Sequence, residues 1–149
     1  MAAVSALAVY SVLFSSSVQS AGRAASSNYV QYCSGCHGLD GRGAGANSGI
    51  PDFRNFVGAF ASDDCGRTYV LHVPGVVNTS LGNAEMAALI NYLMRTWGGT
   101  SLSADFVEFT AAEVQTRRAY YVPDVVSLRR QIVERLQANG IATAPYPWP

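Results

Sequence analysis

The five residues Cys33-Ser34-Gly35-Cys36-His37 constrain this 149-residue chain more than any other feature. Two thiols held three residues apart, with an imidazole directly after the second, suit three chemistries: a redox dithiol, a metal site, or covalent attachment of haem. A structural zinc site wants four Cys or His ligands. Beyond the motif the chain holds only Cys65 and His72, with no second close pair. A thioredoxin-like dithiol wants a βαβ setting with the motif opening a helix. Here the motif closes a short helical stretch, SSNYVQY at 26–32, and runs into a glycine-rich loop with no later alternation of strands and helices. Haem attachment remains: the two thiols add to the vinyl groups and His37 ligates the iron.

The start of the chain agrees with that chemistry. No charged side chain precedes Arg23, and an apolar stretch from Ala2 to Phe14 gives way to small residues up to Ala21. Residues 1–24 therefore read as a secretory signal, cleaved between about 20 and 25, and the protein is expected in the periplasm or otherwise exported. After cleavage no apolar run reaches the roughly 18 residues that a membrane-spanning helix needs. Ten cationic side chains, all arginine, balance ten acidic ones. That balance argues against a nucleic-acid partner, which phosphate contacts would select through a basic surplus.

Two regions follow the signal. Residues 25–99 hold the motif, five glycines from Gly38 to Gly49, Pro51, and aromatic filling from Phe53, Phe56 and Phe60. Glycine density of this kind lets backbone pass close to something flat and bulky. GRTYVLHV, 66–73, is a short apolar element, helix or strand, that Pro74-Gly75 stops. Asn83 opens the clearest helix: Met86, Leu89, Ile90, Leu93 and Trp97 fall at i, i+3, i+4, i+7 and i+11, and Gly98-Gly99 ends it. Residues 100–149 form a helical extension. Thr110-x-x-Glu113 is a capping box for a helix to about Arg118, and Asp124 caps a second that stops at Gly140. In that last helix Val125, Leu128, Ile132, Val133 and Leu136 make the apolar stripe, with Arg129, Arg130, Glu134 and Arg135 on the rest. The final residues, ATAPYPWP, read as extended.

NYVQYCSGCHGLDGRGAGANSGIPDF resembles a class I c-type cytochrome, and LGNAEMAALINYLMRTW is similar to the C-terminal helix of that family. The resemblance covers about residues 26–98. It implies an all-α, cytochrome c-like helical domain around one covalently bound haem c, with the tail as an extra helical piece. It further implies that the Pro51 carbonyl accepts a hydrogen bond from His37, a contact that fixes the ring and raises its basicity. Such proteins are electron carriers rather than enzymes. The implied partner is a redox protein such as a periplasmic dehydrogenase or a terminal oxidase or reductase.

The pattern departs from the family at the sixth iron ligand. The loop just before the last helix of the domain, VPGVVNTSL at 73–81, contains no Met. Met86 belongs to the apolar stripe and Met94 flanks it, so both read as core. His72 is the only spare imidazole and is the candidate distal ligand, which leaves an open iron as the competing case. Arg67 and Arg42 are candidate partners for the haem propionates, because guanidinium pairs well with carboxylate. Cys65, between Asp64 and Gly66, reads as a solvent-side or half-buried thiol. The function expected is single-electron carriage between redox proteins. The alternative is a haem domain with an open distal site, acting as a small-ligand sensor or as a subunit of a larger dehydrogenase.

Overall fold

A computed structural model describes residues 23–148, and every regular element among them is helical. The expected export signal lies outside the described residues, apart from Arg23 and Ala24. Seven α-helices succeed one another: α1 (Ala25–Tyr32), α2 (Ser34–His37), α3 (Asp64–Tyr69), α4 (Pro74–Val77), α5 (Asn83–Trp97), α6 (Ala111–Arg118) and α7 (Val125–Ala138). Two 3-10 turns, Val57–Ser62 and Gly99–Ser101, punctuate them.

Local chemistry explains most of the boundaries. The apolar element expected at 66–73 is a helix shifted toward its N-terminus, because the Asp63 carboxylate accepts from Gly66 N at 2.8 Å and caps α3. Pro74 starts the next helix instead of stopping the last, its missing N–H being harmless at the first helical position. Serine does not cap α1: Ala24 holds that position without a side-chain bond. At α5 the Glu85 carboxylate reaches back to Gly82 N at 3.2 Å. Thr110 and Asp124 cap α6 and α7 through Glu113 N and through Val126 N and Ser127 N.

α5 is the central beam. Its buried face, Met86, Leu89, Ile90, Leu93 and Met94, packs against α1 on one side and α6 on another. Each such side chain contributes roughly 1.5–3 kcal/mol relative to exposure. Trp97, at the end of the stripe, is half-buried and sits against Tyr29, with ring centroids 4.5 Å apart, which fixes the crossing of α1 over α5. Asn55, one of the few residue types that tolerates a positive φ (here 64°), ties the 53–56 turn to the end of α5 through Asn55 N to Trp97 O, 2.7 Å.

The extension shares this core. Phe109, Val114, Ile132, Val133 and Leu136 join the same apolar cluster as α1 and α5, and α7 packs on α3. Polar contacts clasp it down. Arg67 makes a two-point pair with Glu113 at 2.6 and 2.7 Å, donates to Val107 O at 3.0 Å, and lies over the Phe109 ring. Arg117 joins Glu113 to Asp64 and Thr68. Asn91 exchanges two bonds with the Phe109 backbone.

The clasp has a pH signature. Its Arg67 and Arg117 bonds hold the Glu113 carboxyl below its ordinary value of 4.5, against a smaller opposing effect of burial. A depressed folded-state value adds stability that is complete above the ordinary value and is lost as pH falls through the folded one. Glu113→Gln should lower stability at neutral pH by about 2 kcal/mol, the scale of a hydrogen bond to a charged group. The gap to the unaltered protein should close in thermal melts taken below pH 4.5; a gap that stays constant down to pH 2.5 would contradict this account.

Candidate functional site

The motif occupies a single turn. Cys33 N donates to Tyr29 O at the end of α1, and His37 N donates to Cys33 O at 2.9 Å, so α2 brings both thiols and the imidazole onto one tight element. All three line a cavity of about 400 Å³. Burial, helped by the nearby Cys36, pushes the Cys33 thiol up to about 11, so it stays protonated at neutral pH. Cys36 lies at the exposed rim.

His37 is held by the loop that follows it. The chain doubles back through Gly43 N to His37 O at 3.0 Å, Ala44 N to Ile50 O at 3.1 Å and Phe53 N to Gly41 O at 2.8 Å. Gly43 permits the reversal: its φ is 69°, and a Cβ there would collide with the backbone of Ile50 and Pro51. The fold-back places Pro51 O 3.2 Å from His37 Nδ1. A carbonyl only accepts, so Nδ1 carries the hydrogen and, in the neutral ring, Nε2 keeps the lone pair. Burial outweighs the Pro51 bond and lowers the affinity of the ring for a second proton, which keeps it a neutral ligand. Phe53 stacks on the imidazole, centroids 3.9 Å apart and planes within 17°.

Most of the remaining cavity wall is apolar, with Phe56 and Val57 before α3, Val73 to Val76 in the loop and helix after it, and Ile90, Leu93 and Met94 from α5; Asp52 and Arg129 are the charged exceptions. Two thiols, one neutral imidazole with a lone pair, and a large apolar chamber are the donor set and setting that a covalently attached haem requires. Among the described residues no cluster of three or more His, Cys, Asp or Glu forms an alternative metal site.

The Cytochrome c family profile matches residues 23–97, half of the chain, and the matched span carries the whole motif and α5. The chain belongs to the cytochrome c family. No curated protein matches it. Membership implies a covalently bound haem, and the residues present fit that group at Cys33, Cys36 and His37.

Other expected site residues lie elsewhere. His72, the expected distal ligand, does not line the cavity; its Nδ1 is 2.8 Å from Thr68 O and its Nε2 3.1 Å from Tyr120 O, so both nitrogens face backbone carbonyls. Arg67, expected at a haem propionate, is instead held by Glu113, because the extension brings that carboxylate over α3. Arg42 pairs with Asp40 at the surface. Of the two methionines of α5, Met86 is sealed in the core away from the cavity, whereas Met94 is equally buried and lines it.

Tyr69, Arg129, Ala144 and Tyr146 line the cavity although the sequence assigned them no part in the site. Three of them belong to the extension. For Arg129 the signal lay in the register of α7, where residues 125, 129, 132, 133 and 136 fall at i, i+4, i+7, i+8 and i+11. That stripe is as good as the one containing Leu128, and it includes an arginine.

Thiol exposure yields a test. In haem-free chain under native conditions, iodoacetamide should modify exposed Cys36 and Cys65 first and half-buried Cys33 last, by at least about tenfold, since the thiolate is the nucleophile and each unit of raised value costs tenfold in its population. Peptide mass mapping reads the order directly, and early modification of Cys33 would contradict the geometry.

Proposed function

We propose that this protein is an exported, monohaem c-type cytochrome that carries single electrons between redox proteins. The observation that carries this reading is the convergence of Cys33, Cys36 and the Nε2 lone pair of His37 on one apolar cavity. When bound, haem supplies a one-electron iron couple. The chain supplies the rest. Cys33 and Cys36 would hold the group covalently, and His37 would offer it a nitrogen ligand whose orientation Pro51 O fixes. The apolar wall excludes water, so little solvent has to reorganise when charge changes inside. Exposed Cys36 and Leu39 mark the edge where a redox partner can approach. No helix among the described residues is long and apolar enough to cross a membrane.

Expression in a host competent in cytochrome maturation tests the reading. The intact mass should exceed that of the processed chain by one haem, and the product should be reduced and reoxidised reversibly. Cys33→Ser should leave a single thioether, with reduced yield and a shifted reduced spectrum. A haem-free product from that host would sink the proposal.

One observation favours a second reading. The segment facing the cavity after α3, Val73 to Val76, offers no ligand side chain, and His72 is engaged elsewhere. Met94 contributes the sole thioether on the wall. An iron without a strong sixth ligand suits a small-ligand sensor or a haem subunit of a dehydrogenase. The reduced protein should then bind carbon monoxide, and His72→Ala should leave the spectrum unchanged while lowering stability by about 1 kcal/mol through the lost Tyr120 contact. Absorption spectra with and without carbon monoxide decide it: a spectrum indifferent to the gas, or a His72→Ala spectrum that turns high-spin, removes the second reading.

A further inference from the structure

Arg129 is the only charged side chain among the described residues that is fully buried, at 2% exposure. It reaches the haem cavity from α7, outside the span that the family matches. Nη1 donates to the Tyr69 hydroxyl at 3.1 Å, and Cζ lies 4.6 to 5.6 Å from the rings of Phe60, Tyr69 and Tyr146. Nε and Nη2 have no partner.

Those two nitrogens form one edge of the guanidinium, the fork that matches the two oxygens of a carboxylate. Elsewhere in this chain that edge is used in just that way. Arg54 gives it to Asp52, Arg67 to Glu113 and Arg135 to Asp63, at 2.6 to 3.2 Å. Arg129, the described arginine with the least access to water, leaves that edge empty. A buried cation without a counter-charge is strongly destabilising, so an anion belongs there. No described carboxylate of the chain bonds it. Haem carries two carboxylates, its propionates, on the edge opposite the vinyl groups. Attachment at Cys33 and Cys36 fixes the vinyl edge at α2, whereas Arg129 stands on α7, which packs on α3.

We propose that Arg129 of the C-terminal extension pairs through its Nε–Nη2 edge with a haem propionate, making the extension part of the haem site. This rests on the haem reading above, and a holoprotein mass lacking haem would remove that reading, not this pairing alone.

The test uses ¹⁵N-labelled holoprotein in a reduced, diamagnetic state, carbon monoxide-bound if the iron is open. The Arg129 Nε–H should show nuclear Overhauser contacts to propionate methylene protons. Contacts only to a ligand on the iron, or none to haem, would overturn the assignment without disturbing the presence of haem. Redox titration across pH 5–8 gives the second readout. In Arg129→Gln the unpaired propionate should take up a proton as the iron is reduced, so the potential should fall with pH, approaching one proton per electron. Arg129→Lys, which keeps the charge, should restore most of the flat profile of the unaltered protein. Burial holds the Tyr69 hydroxyl above its ordinary value of 10, and the Arg54 bond holds the Asp52 carboxyl on the same cavity wall below its ordinary 3.8, so neither acts in this window. A haem-loaded Arg129→Gln with the unaltered profile, or with changed small-ligand affinity alone, would overturn the proposal. Should the variants fail to hold haem, the contacts in the unaltered protein decide.

Discussion

The bond from His37 Nδ1 to Pro51 O is the contact on which the site depends. It joins the end of the attachment turn to a residue fourteen positions on, and everything between them is a loop. A loop of that length has no reason to close by itself, since closure costs chain entropy that grows with its length. Three backbone bonds across it, and Gly43 at the reversal, provide the compensation. Once it closes, the imidazole has one tautomer and one orientation, and the proximal wall of the cavity is set.

The opposite wall depends on a different kind of force. α3 and the segment after it are short and would be weakly held alone. The extension covers them, with Ile132, Val133 and Leu136 supplying apolar contact and the Arg67–Glu113–Arg117–Asp64 network supplying register. Ionic contacts of this partly shielded kind specify position more than they add stability, because each desolvated charge offsets much of its own attraction. Apolar burial supplies the energy, and the arginines determine which arrangement of the extension is used.

Legibility in the sequence followed the range of the interaction. The attachment motif and the helix at 83–97 were readable because each is local: fixed spacing, a 3.6-residue stripe, a glycine stop. So were the caps at Thr110 and Asp124. His72 and Arg67 were read by side-chain chemistry alone, as a spare ligand and a spare cation. Their actual partners, Tyr120 O and Glu113, lie 48 and 46 residues away and become visible only when the extension is placed. Arg129 escaped for a subtler reason. A charged residue is assigned to the wet face of a helix by default, and Leu128 offered an equally regular apolar position next to it. The cavity behind α7, which local spacing does not reveal, reverses that choice.

Chain order gives the cavity a direction in time. The attachment turn lies near the start of the described residues, whereas α7 and the irregular segment carrying Ala144 and Tyr146 come last among them. A polypeptide that emerges N-terminus first offers its two thiols while the far wall has yet to be made. Loading from an open side and sealing afterwards is then the topologically simple sequence of events, with the closing piece encoded later in the same chain.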